Sequence, residues 1–66
     1  MTRLTKQETR VANLLAKGQS DKQIAHTLHI SVRTANFHMA NILQKTQCYN
    51  RTAAVIKLMA AGLINP

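Results

Sequence analysis

Helix-start signals punctuate this chain at four places, and they constrain its fold more than any other feature: Thr5 with Glu8, Ser20 with Gln23, Ser31, and Asn50. A Ser or Thr followed three residues later by Glu or Gln forms a capping box. The two side chains each satisfy an N–H that the first helical turn leaves without a partner. Stop signals fall at matching distances, at Lys17-Gly18, at the tight connection His29-Ile30-Ser31, in "TQCYN", and at Gly62. The spacing predicts an all-α, compact four-helix helix-turn-helix domain over residues 1–66, with helices at about 6–17, 21–28, 32–45 and 51–61.

Apolar periodicity assigns the inner faces. Val11, Leu14 and Leu15 mark the first helix and Ile24, Ala25 and Leu28 the second, with Ile30 as a plug between the second and the third. On the third, Ala35, Met39, Ile42 and Leu43 share one face with His38 at its edge. The opposite face carries Arg33, Asn36, Phe37, Ala40 and Gln44, a stripe without the Glu/Lys mix of a merely solvated surface. On the fourth helix, Val55, Ile56 and Met59 are expected inward, with Leu63 and Ile64 folding back beyond Gly62. Ala54, Leu58 and Ala61 are expected on the far side, as a small apolar patch suited to a dimer contact. Tyr49 is expected to shield the start of that helix.

Charge narrows the choice of partner. Nine Lys and Arg stand against two Asp and Glu in 66 residues, a formal net charge of +7. Such a field suits a polyanion, and the cations are dispersed singly, as on a folded basic face rather than a polybasic tail. A chain this short is poorly suited to a deep substrate cavity, and Glu8 and Asp21 already serve helix N-termini, so paired-carboxylate or metal-carboxylate chemistry is not expected. His26 and His29 lack a third ligand nearby, and Cys48 with His38 lacks an orienting acid. The chain is read as no enzyme, with no cofactor and no metal. One cysteine allows no intrachain disulfide. The N-terminus "MTRLTKQETR" has no signal-peptide core and no apolar run reaches spanning length, so a cytoplasmic location without membrane contact is expected.

The pieces "LT..E", "LLAKG.S.K.IA..L.IS", "T..FH..NI..K", "NRT.AV" and "GLI" follow one another across nearly the whole chain. In this order and at these spacings the sequence resembles the LuxR-type helix-turn-helix domains, the GerE, FixJ and NarL group. The resemblance implies a four-helix module that regulates transcription by sequence-specific DNA binding, its third helix in the major groove and its fourth mediating dimerisation on a two-fold site. It implies base-edge contacts at Asn36, Phe37 and Ala40, and phosphate contacts at Lys22, Arg33, Thr34, Asn41 and Lys45. Double-stranded DNA, a second copy on DNA, and RNA polymerase are the implied partners, with the isolated chain mainly monomeric.

A neutral stripe between flanking cations agrees with that reading, because base edges are read by neutral or bidentate groups while Lys and Arg meet phosphates. Asn36 and Ala40 stand where many members of the family carry Lys or Arg, which points Asn36 toward adenine rather than guanine. Thr46-Gln47-Cys48 replaces the usual Leu-Gly-Val, and with Ala35 in place of Val it thins the seam between the third and fourth helices, so marginal stability is expected, with Cys48 as a small buried group. "NFHMANI" resembles the quorum-sensing, acyl-homoserine-lactone-responsive branch, either as an output domain or as a free-standing regulator. The alternative within the family is the output domain of a two-component response regulator. The alternative outside DNA binding is a protein-interaction module docking through helix three or four.

Overall fold

The computed structural model describes residues 3–65; residues 1, 2 and 66 of the expected 1–66 domain lie outside the described residues. Four α-helices follow in order: α1 Lys6–Ala16, α2 Asp21–Leu28, α3 Val32–Thr46 and α4 Arg51–Ala60. Among the described residues there is no strand.

Every helix is closed at both ends by the same two devices. At the N-termini, the side chains of Thr5, Ser20, Ser31 and Asn50 accept from the backbone N–H three residues on. Thr5/Glu8 and Ser20/Gln23 complete both halves of the capping box. At the C-termini, a left-handed residue turns the chain so that two N–H groups reach back to otherwise orphaned carbonyls. Gly18 and Gly62 do this at φ +87° and +72°, while His29 and Gln47 do it at φ 57°. The closing bonds are Gln19 N–H to Leu14 O, Ile30 N–H to Ala25 O, Cys48 N–H to Leu43 O, and Leu63 N–H to Leu58 O, all between 3.0 and 3.2 Å. Helices of 8 to 15 residues are marginal alone and gain from such termini.

The inner faces meet in one core built from Val11, Ala12, Ile24, Ala25, Ala35, Met39, Ile42, Ala54, Leu58 and Ile64. Helices α1, α2 and α4 all pack on α3. Leu14, Leu15, Leu28, Ile30, Leu43 and Cys48 lie partly buried around the core. Ile64 folds back into it, while Leu63 stays 44% exposed. Thr46, wholly buried, bonds its hydroxyl to the Ile42 and Leu43 carbonyls of its own helix at 2.8 and 3.2 Å.

The rotation of α4 differs from the expectation. Ala54 and Leu58 are completely buried, so neither belongs to a surface patch, and only Ala61 of that trio is exposed. Val55 and Met59 flank the core, and Ile56, expected inward, is 63% exposed. The physical reason is that nearly every position of "AAVIKLMAA" is apolar, so the sequence does not fix the helix's rotation. Packing fixes it instead, and the close approach to α3 favours small Ala54 over a larger neighbour. Tyr49 is fully exposed and shields nothing.

Two ion pairs stitch the helices. Glu8 of α1 meets Lys45 of α3 at 2.5 Å, and Asp21 of α2 meets Arg51 of α4 at 2.5 Å. Lys57 of α4 adds a bond from Nζ to the Thr46 carbonyl of α3 at 2.7 Å.

Candidate nucleic-acid interface

The N-cap at Ser31 sets the phase of α3, because it starts the helix where Ala35, Met39 and Ile42 turn inward. Arg33, Asn36, Phe37, Ala40 and Gln44 then all emerge on the solvent side. Phe37 is 62% exposed, its ring tilted against His38 at 5.8 Å between centroids. It stands out from the surface rather than filling the core. The three residues expected at base edges, Asn36, Phe37 and Ala40, thus share one open face one helical turn long.

The residues expected at phosphates divide. Lys22 and Arg33 are exposed, one on α2 and one on the first turn of α3, and neither has a carboxylate partner among the described residues. Thr34 and Asn41 are half-buried beside the stripe, and the Thr34 hydroxyl lies 2.9 Å from that of Ser31. The Lys45 ammonium is turned to Glu8 and also reaches the Arg3 carbonyl at 3.4 Å, so without DNA it is engaged within the fold.

Burial alone would raise the Glu8 carboxyl, whose residue is 4% exposed. The Lys45 ammonium and the N–H and hydroxyl of Thr5 outweigh burial and hold it below its ordinary value. With Asp21 paired to Arg51, neither Asp nor Glu side chain is free to repel a polyanion at the α3 face. His38 is half-buried with Nδ1 unpartnered among the described residues, in keeping with a packed helix residue.

Sequence reasoning missed both ion pairs, whose partners are 37 and 30 residues apart and carry no local signature. It also missed Ile56 as a surface residue. Thr52 and Lys57, both exposed, bracket Ile56 on the helix wheel and were the available signal.

Fold and surface together define a helix-turn-helix domain whose third helix offers a neutral reading face edged by cations. The family model for "Bacterial regulatory proteins, luxR family" matches residues 2–65. The chain belongs to that family of DNA-binding transcription regulators. It is 41% identical over 61 residues to the response regulator protein VraR of Staphylococcus aureus (strain NCTC 8325 / PS 47), and to that of Staphylococcus epidermidis, covering 92% of this chain. The chain spans 29% of the length of these curated relatives. Among solved structures, the transcription factor GerE superposes with a TM-score of 0.91 at 31% identity, over 98% of this chain and 97% of that one. The response regulator ChrA of a heme-sensing two component system superposes with a TM-score of 0.92 at 33% identity, over 97% of this chain and 32% of that one.

Proposed function

We propose that this chain is the DNA-reading output domain of a two-component response regulator, acting on transcription by seating α3 in the major groove of a two-fold site. The observation that carries the DNA reading is the open face of Asn36, Phe37 and Ala40 on α3, with exposed Arg33 on the same face and exposed Lys22 on α2. Asn36 pairs bidentately with an adenine, and Phe37 packs on a thymine methyl. Lys22, Arg33, Thr34 and Asn41 anchor the phosphates and set the register. The response-regulator assignment rests on the names of the matched relatives, VraR and ChrA, which favour it over the quorum-sensing branch. RNA polymerase is the expected acceptor of the regulatory signal.

The dimer forms along the outer face of α4, where Thr52, Ile56 and Ala60 recur at helical spacing and are exposed. A chain with a net charge of +7 repels its copy, so DNA aligns two monomers rather than receiving a finished dimer.

Selection against a random duplex library at physiological salt, which suppresses purely phosphate-driven binding, tests the reading. A two-fold motif with adenine at a fixed position in each half-site is expected. Recovery of no motif, with salt-sensitive binding to every duplex, would overturn it.

A further inference from the structure

Nine Lys and Arg stand against two acidic side chains, and both of these are taken, Glu8 by Lys45 and Asp21 by Arg51. Of the remaining cations, Arg33 lies exposed on the reading face, Lys22 lies exposed on α2, and Lys57 binds the Thr46 carbonyl. The other four, Arg3, Lys6, Arg10 and Lys17, are all exposed. Lys6, Arg10 and Lys17, at steps of four and seven residues, fall in a single stripe along the outer side of α1, and Arg3 lies before the Thr5 cap.

That stripe is on the wrong side for the duplex. The inner side of α1, with Glu8, Val11 and Ala12, faces the core, and Glu8 meets Lys45 of α3 there. The stripe lies opposite the core-facing side of α1, and the reading face lies opposite the core-facing side of α3, in a body whose shorter axes measure 20 Å. Screening decays over about 8 Å at physiological salt, so these cations add little to phosphates held at α3.

Arg3, Lys6 and Arg10 rim a concave patch completed by Leu4, Thr9 and Leu63. Leu63 is 44% exposed although its neighbour Ile64 is buried, and Leu4 is half-buried. We infer that this groove docks an acidic segment of a partner protein carrying an apolar side chain. Its carboxylates meet Arg3, Lys6 and Arg10, and its apolar side chain covers Leu4 and Leu63. Charge complementarity requires an anion, and the leucine floor chooses among anions. A second duplex meets the stripe with a convex ridge of phosphates and leaves Leu63 uncovered, whereas an acidic peptide satisfies both halves of the surface.

The test titrates the isotope-labelled chain, free and bound to its selected duplex, with a short synthetic peptide of Asp and Glu around a central Leu pair. The expected result is saturable movement of the amide signals of residues 3–10 and Leu63, with the duplex still bound. Replacing both peptide leucines by Ser weakens binding about tenfold, the loss of one seated apolar group. The Lys6→Glu/Arg10→Glu variant loses the peptide by about tenfold or more while its affinity for the duplex changes less than about threefold. Equal binding of both peptides overturns the inference, as does the absence of a saturable response at these residues. So does protection of the stripe by excess duplex, which would hand it to nucleic acid. Peptide binding at α1 in the free chain alongside a failed library selection would sink the DNA reading and leave the docking groove standing.

Discussion

Replacing Lys45 by Met keeps the aliphatic stem against the helix surface and removes the ammonium that faces Glu8. Fully exposed ion pairs contribute about 0–1 kcal/mol, whereas stripping one partner from a fully buried pair costs about 3–5 kcal/mol. This pair lies between those limits, because the Glu8 side chain is 5% exposed and that of Lys45 is 22%. Glu8 also keeps the Thr5 N–H at 3.0 Å when Lys45 is gone. A loss of about 1–3 kcal/mol at neutral pH follows, a fall in melting temperature of about 5–20 °C for a domain this small.

The pH dependence gives the sharper check. In the parent the Glu8 carboxyl is held below its ordinary value of 4.5, so its contribution to stability is complete above that pH. It is lost as pH falls through the lower, folded value. Without Lys45 only the Thr5 groups oppose burial, and the carboxyl titrates higher than in the parent. The gap between parent and Lys45→Met is therefore widest near neutrality, narrows below about pH 4.5, and closes in stronger acid. Thermal melts monitored by circular dichroism from pH 7 to pH 3, with Glu8→Gln and Glu8→Gln/Lys45→Met completing a double-mutant cycle, measure this. A pH-independent gap, or none at pH 7, would refute the reasoning. A salt slope for DNA binding that drops by about one unit in Lys45→Met would assign Lys45 to a phosphate as well as to Glu8, and the same drop is expected for Arg33→Ala.

Asn36→Ala relaxes base choice at one position per half-site at a cost of about 1–3 kcal/mol, read by repeating the library selection. Ile56→Glu replaces two side chains, each 63% exposed in the monomer, with facing carboxylates. Affinity for the two-fold site falls about 30-fold or more while affinity for an isolated half-site holds, and an equal loss on both sites would remove α4 from the interface. Gln47→Gly relieves a left-handed residue with φ 57° and an exposed side chain, raising stability by about 0.5–1 kcal/mol in urea denaturation. A destabilised variant would show that the Gln47 side chain, not its backbone, matters at that corner.

The first three helices were legible because their signals agree with one another. At Ser20 the cap, the following acid and the Ile24/Ala25/Leu28 stripe all indicate one helix in one rotation, and α2 begins and ends where they place it. In α3 the polar and apolar faces are distinct, so Asn36 and Phe37 could be assigned to solvent and Met39 to the core before any packing was seen. In α4 the boundaries were legible to within a residue from Asn50 and Gly62, but the rotation was not. A helix of alanines, valine, isoleucine, leucine and methionine is apolar on every side, and its orientation emerges only when Ala54 and Leu58 meet α3. Lys45 illustrates a different limit. Its charge and position resemble those of a phosphate anchor, and only the tertiary approach of Glu8 reveals its ion pair within the fold.

The ties at the two ends of α4 have a consequence for operator architecture. Arg51 binds Asp21 at the start of α2, and Lys57 binds the last carbonyl of α3, so α4 is fastened to both members of the helix-turn-helix. In a dimer joined along α4, the two reading helices then sit at a fixed separation and a fixed relative twist. Each base pair inserted between half-sites would swing the second one about 35° around the duplex axis, and the fastened frame has no joint with which to follow. Operators for this protein should therefore tolerate substitutions at the centre of the site but not insertions there, and spacing would act as a specificity determinant in its own right.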